Sequence, residues 1–476
     1  MTPPNGMREY LELLEDHGQL ARISEPVTLE PGVREIAGAA ASDRDHGPAV
    51  LLDNLVGASG ARIAVNVHGS FANLAVLLGM SPQTTTRRQM FEELCRRWRP
   101  QPRSLVHVDN APVHQVRSEK ESVDLFAELP LFRVNPYDGG MYIAKACTVS
   151  RDPHDRDDVN KQNVGIYRIQ VHGGTTVSIM TAASHDLGRQ IVAAERDGLP
   201  LHVAITIGPH PAVALFGGTP LGYEQSEYAY AAAAFGHELR LTTSGNGLDV
   251  LADAEMIIEA ELQHGQRIVE GPFGEFPGTY TDTCLAPVFG VTAISRRHDP
   301  IFENIYLGNS WGELDTLIGL NTCVPVYADL HSDFPEVVAV NAMYQHGLTA
   351  VISVRNRFAG FAKAVAHRAI GSTHGLQYLK NIILVDDDVD PFDLERVMWS
   401  LSTRTRATDI DVLPDMPLIP LDPSAVTPGK GHRLIIDATC AVAPDPVGHS
   451  RLIDTLSAHG VEEAVALLTA ATEGSR

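Results

Sequence analysis

At 476 residues with 44% apolar content, the chain is long enough for about three domains with ample core. Lys and Arg total 37 against 59 Asp and Glu, a formal charge of −22 that works against binding nucleic acid or an anionic membrane. Five scattered cysteines (Cys95, Cys147, Cys284, Cys323, Cys440) without a CxxC pair, an opening MTPPNGMREYLELLEDHG with no signal-peptide pattern, and no run of ~18 apolar residues lead to an expected cytoplasmic, disulfide-free protein.

In chain order, apolar positions at Met7, Tyr10, Leu11, Leu13 and Leu14, closed by Gly18, predict a helix over 7–18. Short apolar runs over 49–55 and 62–67, then helical patterns over 70–78 and 86–98, make the first hundred residues α/β. A Pro- and Arg-rich stretch over 99–113 is the first candidate boundary. Strands are predicted over 144–150, 164–171, 176–180, 201–207, 212–216, 255–262 and 288–296, interrupted by helices over 187–197 and 226–235, which suggests a barrel-like sheet. From 311 the pattern becomes helix 311–320, strands 337–342 and 350–353, helix 360–370, strand 381–385 and helix 391–402, as expected of a mainly parallel sheet with covering helices. The acidic run DDDVDPFD over 386–393 reads as a strand-to-helix corner in preference to a metal site. A last helix over 459–471 is expected to be peripheral or to dock on a neighbouring subunit.

The stretch QRIVEGPFGEFPGTY over 266–280 sets Glu270 and Glu275 either side of the turn formers Gly271, Pro272 and Gly274. A reversal there lets both carboxylates face one cavity, whereas a straight strand holds them roughly 16 Å apart. Paired carboxylates beside a cation set acid and base roles, although an isolated ExxxxE is more often a solvated acidic turn. In QNVGIYRIQV over 162–171, Asn163 and Arg168 are an odd number of positions apart, so an unbroken strand would point them to opposite faces. Either a bulge intervenes or they serve different sides of one ligand, and Gly165 is compatible with a bulge or a close backbone approach. An amide oxygen from Asn163, an imidazole from His185 and a carboxylate from Glu227 would suit Mn²⁺ or Mg²⁺. Spacing alone does not establish that site, since each residue taken singly has an ordinary structural reading. The run FGGTPLG over 216–222 could approach a phosphate but reads first as a turn, and P-loop, GxGxxG and GxSxG motifs are absent.

Taken together and in order, NVGIYRIQV, SEYAYA, EGPFGEFPG, VDDDVDPFDLERVMWSLSTR and IIDAT resemble the UbiD family of prenylated-FMN-dependent decarboxylases, over nearly the whole chain. KQNVGIYRIQV, QSEYAYA, NTCVPVY, VNAMYQHGL and FAGFAKAV bring the resemblance closest to the branch acting on hydroxybenzoate, vanillate and protocatechuate. The resemblance implies an α+β and α/β chain: an N-terminal α/β segment (1–105), a split β-barrel-like flavin-binding domain (106–310), a C-terminal α/β oligomerisation domain (311–443) and a tail helix (444–476). It makes Asn163, His185 and Glu227 ligands of Mn²⁺ (or Mg²⁺) bridging to the flavin phosphate, with K⁺ nearby, and Arg168 a further cofactor-binding residue. Arg168, Glu270 and Glu275 become the catalytic network. In that network Glu275 is the proton donor, Arg168 holds the substrate carboxylate, and Glu270 bridges the other two.

The implied activity is reversible, non-oxidative decarboxylation of an α,β-unsaturated or (hydroxy)aromatic carboxylic acid through a covalent adduct with prenylated FMN. The implied partners are the small carboxylic acid, a flavin prenyltransferase that supplies the cofactor, and further copies in a homodimer or higher even oligomer. Leu314, where some relatives that act on phenolic acids carry a more polar residue, and the tail after Asp437 depart from the branch. Those departures leave an acrylic-type polyketide acid as an alternative substrate. A catalytically idle flavin-binding scaffold and an ordinary FMN oxidoreductase are the readings from other classes. The intact Arg168, Glu270 and Glu275 weigh against the first, and the lack of a nicotinamide motif against the second.

Overall fold

The computed structural model describes residues 4–98, 105–155, 158, 161–219, 221–223, 225–236, 238–308, 311–343, 347–376, 378–440 and 457–473. Parts of the expected boundary at 99–113, of the motif at 340–348 and of the tail from 444 lie outside these residues. Helix Met7–Asp16 buries Met7, Tyr10, Leu11 and Leu14, the face its apolar spacing predicts. Beside it lies a sheet in the order Leu20–Ile23, Ala49–Leu52, Arg62–Val65, Ile301–Glu303, whose last strand arrives from far along the chain. Helix Arg87–Arg97 begins at a capping box in which Thr86 and Gln89 satisfy each other's free amides.

The middle of the chain forms a nine-stranded antiparallel sheet. Its order runs Gln162–Ile166, Cys147–Arg151, His202–Ile207, Met256–Glu270, Cys284–Arg296, Thr176–Ile179, Ile169–Gly173, Met141–Ile143, with Val116–Glu119 also pairing to Cys284–Arg296. Strands Gln162–Ile166 and Ile169–Gly173 are consecutive in the chain yet six places apart in the sheet. On a flat sheet six places span ~29 Å. The three residue steps from Ile166 to Ile169 reach at most about 11 Å. The sheet therefore has to curl until its two ends meet, and Tyr167–Arg168 is the link that joins them. The apolar inner face of this half-barrel, with Ile143, Ile169, Val203, Ile205, Ile258, Phe289 and Val291, is one of the buried cores.

The C-terminal sheet has the order Val337–Asn341, Thr349–Val354, Asn381–Asp386, Lys430–Ala438, Ile410–Pro417. Its three central strands are parallel, while both edge strands run antiparallel, so it is less uniformly parallel than the sequence pattern predicts. Helices Phe361–Ile370 and Leu394–Arg404 pack against it, the second capped by Asp393 from the acidic corner.

Two predicted elements change. The expected strand over 212–216 is helix Pro211–Gly217, because a short apolar run does not distinguish a buried strand from a buried helix; Pro211 in its first turn and the cap from His210 to the Ala212 N–H decide it. The expected helix over 311–320 is Glu313–Asp333, which continues through Pro325 and links the half-barrel to the C-terminal sheet. All five cysteines are free. Among the described residues, no helix is long and apolar enough to cross a membrane.

A buried ion network pins that linking helix. The Lys145 ammonium, fully enclosed, donates to Glu303 at 2.5 Å, to Glu313 in the first turn of the helix, and to His68 Nδ1 at 3.1 Å. Burial works against the ammonium, but Glu303 and Glu313 outweigh it and raise its pKa. Burial likewise opposes the Glu313 carboxylate, yet Lys145 and His68 together hold it at about 2. His68 and Glu303 belong to the N-terminal part, Glu303 in the last strand of its sheet, while Lys145 lies between two half-barrel strands and Glu313 opens the linking helix, so one cation ties three parts of the fold. Replacing Lys145 by Met strands two buried carboxylates and is expected to cost about 3–5 kcal/mol in urea denaturation of the apoprotein. An unchanged denaturation midpoint would show that the carboxylates do not depend on the ammonium.

Candidate active site

The strand expected over 164–171 is broken, with Gln162–Ile166 and Ile169–Gly173 separated by Tyr167 and Arg168. This break, not a bulge, removes the parity conflict between Asn163 and Arg168. Gly165 serves it: a Cβ there would fall 2.5 Å from the Tyr167 ring, so the ring can fold back over the strand only because residue 165 has no side chain. Arg168 lies outside both strands, though its carbonyl still accepts from the Met180 N–H at 3.2 Å, and its guanidinium points between two carboxylates.

Those carboxylates come from one hairpin. Strand Met256–Glu270 ends at Glu270, and Gly271 takes a positive φ of 87° that few other residues tolerate. The chain then loops through Glu275 before returning as Cys284–Arg296. Arg168 Nη2 donates to Glu270 at 2.7 Å and Nη1 to Glu275 at 2.6 Å, with the guanidinium 5.3 Å from the Phe273 ring centre. Burial works against the charge on Arg168, but the two glutamates outweigh it and raise its pKa.

The reversal expected at Gly271 is present, but the two carboxylates do not face one cavity. Glu275 lines a chamber of 120 Å³; Glu270 is fully buried behind Arg168 and lines neither of the two cavities described below. They meet on the arginine instead. Besides Arg168, Glu270 accepts from the Tyr142 hydroxyl at 3.0 Å and the Cys284 thiol at 3.4 Å. Among the described residues the Glu275 carboxylate accepts one further bond, from the Phe276 N–H at 3.3 Å. Burial pushes the Glu275 carboxyl above its ordinary value, and Glu270 adds to that, against the pull of Arg168.

Most of the small chamber's wall is apolar, with Phe273, Phe276, Leu307, Leu314, Ile318 and Leu421 beside the polar Arg168, Tyr167, His185 and Tyr378. Leu314, singled out by sequence as a departure, therefore faces the chamber. The guanidinium's third nitrogen, Arg168 Nε, is buried with no hydrogen-bond partner among the described residues. A larger cavity of 570 Å³ adjoins, sharing Ile166, Tyr167, His185, Gly218 and Tyr378 with the small one. Asn163, His185 and Glu227 all line the larger cavity, as do Gly217, Gly218 and Thr219 of the glycine-rich run. Arg168 lines only the smaller.

The donor set suits a divalent ion. Asn163 donates its amide nitrogen to Ser150 at 3.0 Å, leaving its amide oxygen without a protein partner. His185 precedes helix Asp186–Asp197, and burial lowers its pKa, favouring the neutral imidazole that a metal needs. Glu227 opens helix Glu227–Phe235, where burial pushes its carboxyl up to about 8. It accepts from the Val164 N–H at 3.1 Å, but among the described residues no Lys or Arg pairs with it. A buried carboxylate without a cation beside two uncharged donors is the chemistry of an ion site. By contrast, among the described residues His68, Glu303 and Glu313 also lie close enough to share an ion, but Lys145 already supplies the charge there.

Sequence reasoning missed Tyr142, Gln170 and Cys284 around Glu270, and Tyr378, which the C-terminal domain contributes to both cavities. No local motif could reveal them: Cys284 meets Glu270 through strand register, and Tyr142 lies 128 positions from it.

Comparison with known proteins agrees with this architecture. The family models for the N-terminal, Rift-related and C-terminal domains of 3-octaprenyl-4-hydroxybenzoate carboxy-lyase match residues 11–92, 104–310 and 315–438. The chain is similar to a phenolic acid decarboxylase of Streptomyces sp. (strain D7), at 46% identity covering 93% of this chain and 94% of the relative. Among solved structures, vanillic acid decarboxylase of Sedimentibacter hydroxybenzoicus in closed form superposes with a TM-score of 0.92 at 42% identity, covering 98% and 100% of the two chains. The UbiD-class enzyme HmfF from Pelotomaculum thermopropionicum in complex with FMN superposes at 0.81 with 29% identity, covering 96% and 98%. Three ordered domain matches and near-complete coverage make this chain a carboxy-lyase of the UbiD family, in its hydroxybenzoate and vanillate decarboxylase branch.

Proposed function

We propose that the protein decarboxylates a single-ring phenolic acid with prenylated FMN, the larger cavity receiving the cofactor and the small chamber the substrate. The observation that carries this reading is the wall of the small chamber, where Glu275 stands beside an arginine with one unpartnered N–H. Relatives named for phenolic and vanillic acids, and UbiD-class structures holding FMN and prenylated FMN, support it. Asn163, His185 and Glu227 would hold Mn²⁺ or Mg²⁺ at the flavin phosphate with K⁺ nearby, and a flavin prenyltransferase would supply the cofactor. When bound, prenylated FMN supplies the electron sink for the pair left by the breaking bond to CO₂.

The chain's own residues do the rest. Arg168 Nε orients the substrate carboxylate, and the apolar walls exclude water. Glu275, whose carboxyl burial pushes above its ordinary value, then delivers a proton to the carbon that CO₂ vacates. Glu270 fixes the guanidinium from behind. The reaction is reversible in principle, since the same groups can take the proton back. The apolar Leu314 also favours a second reading, an acrylic-type acid without a phenolic hydroxyl.

Protein made without a flavin prenyltransferase is expected to be inert and to decarboxylate a panel of phenolic and acrylic acids once loaded. Full turnover with unmodified FMN would refute the reading. His185→Ala should lose the metal by elemental analysis and retain less flavin; stoichiometric metal in that variant would move the site elsewhere.

Glu275→Gln should lower turnover by roughly 10²- to 10⁴-fold while keeping cofactor and metal, because glutamine preserves shape but has no carboxylic proton. Glu270→Gln should be milder. The reverse ranking would transfer the proton-donor role to Glu270.

Further copies of the chain complete the proposal, as a homodimer or larger even assembly formed through the region after residue 311. Exposed Leu394, Met398, Ile410 and Val412 on the C-terminal domain, and Val461, Val465, Leu467 and Leu468 on helix Ala458–Glu473, support it. Light scattering that finds a monomer at micromolar concentration would overturn it.

A further inference from the structure

Two carboxylates share one arginine, yet the protein treats them unequally. Around Glu270 four elements converge: Arg168 from the break at 167–168, Tyr142 from strand Met141–Ile143, Gln170 from strand Ile169–Gly173 and Cys284 from the partner strand. The register of the hairpin sets Cys284 directly opposite Glu270. The Gly271 N–H donates to Gln170 Oε1 at 3.0 Å and to the Tyr142 oxygen at 3.2 Å. The Tyr142 hydroxyl lies 3.0 Å from both Glu270 Oε1 and Gln170 Oε1, and for its single proton a carboxylate is the stronger acceptor. Glu270 thus receives three side-chain donors and Glu275 receives only the arginine. Among the described residues, the other ionisable groups facing this cluster are His172, whose pKa burial lowers and Glu270 opposes, Asp138, anchored by the Asn135 and Gly274 amides, and Tyr378, whose pKa burial and Glu275 raise.

From this asymmetry we infer that Tyr142 and Cys284 are positioning residues that keep Glu270 ionised and thereby hold the pair's single proton on Glu275, the carboxyl that faces the substrate. Hydrogen bonds to a carboxylate favour its charged form. A charged Glu270 in turn makes the neighbouring Glu275 harder to ionise. Neither residue lines the chamber, so each acts from behind, on the Glu270 carboxylate and the guanidinium it holds.

The inference rests on Glu275 being the acid of the proposed reaction, and its test has an arm that needs no turnover. In the loaded enzyme the working form carries a proton on Glu275 and none on Glu270. Tyr142→Phe removes a donor from Glu270, which then protonates more easily, so the low-pH limb of kcat/KM should move upward by about one pH unit, the shift that corresponds to losing one hydrogen bond to a charged group. Phenylalanine keeps the ring packed on Phe273, whose centre is 4.3 Å away, so folding should be preserved. Cys284→Ala should move the same limb in the same direction by less. A uniform drop at all pH values with the limb unmoved would mean a merely structural role and would overturn the inference, leaving the decarboxylase reading intact.

In the apoprotein, the exposed Cys284 thiol reports on the same contact. Burial raises its pKa, and the charge of Glu270 raises it further. Glu270→Gln should therefore shift the pH profile of its alkylation by iodoacetamide, followed by peptide mass spectrometry, to lower pH. An unchanged profile would show that the thiol does not sense Glu270 and would overturn the inference whatever the substrate proves to be.

Discussion

Arg168 is the interaction on which the rest of the site depends. Its two terminal nitrogens each hold a buried glutamate, and with both acids ionised the cluster would carry one surplus negative charge away from water. Removing charges from water is costly, and a surplus charge has no partner to offset that cost. The least expensive resolution is a proton on one carboxyl. The donors are unevenly shared between the two carboxyls: Glu270 is surrounded by an arginine, a phenol and a thiol, whereas Glu275 opens onto a largely apolar chamber. On the proposed reading, a cluster that could have been a static ion pair becomes an acid aimed at a cavity.

The curled sheet makes that cluster possible. Its ends have to meet because two strands six places apart are joined by two residues, and one of those residues is Arg168. The hairpin that crosses the sheet's middle brings both glutamates to the same seam. A second constraint acts on the opposite wall, where helix Glu313–Asp333 carries Leu314 and Ile318 into the chamber and is fixed at its first turn by Lys145. The linking helix thus joins the buried ion network to the shape of the chamber, and the C-terminal domain closes it with Tyr378 and Leu421.

Much of the chain was legible as elements. The helices at 7–18, 86–98, 187–197, 226–235 and 360–370, and the strands at 176–180, 201–207 and 337–342, stand within a few residues of their expected places, because each has a clear period and a cap or glycine at its end. The run at 212–216 failed because periodicity cannot separate a short buried helix from a buried strand, and strand Ile410–Pro417 was missed because its prolines at 414 and 417 argue against a strand unless it lies on a sheet edge, as this one does.

For the site, local chemistry in the sequence determined the turn after Glu270, the residue types Arg168, Glu270 and Glu275, and the apolar character of what surrounds them. Their ordered motifs also carried the family. Only the tertiary structure decided that the strand breaks at Tyr167–Arg168, that Glu275 alone faces the chamber, and that Tyr142 and Cys284 stand guard over Glu270. The reason is physical. Turn formation and helix capping depend on neighbours a few positions away, whereas the charge state of a buried carboxylate depends on which donors a curled sheet brings to it from 14, 102 and 128 positions along the chain.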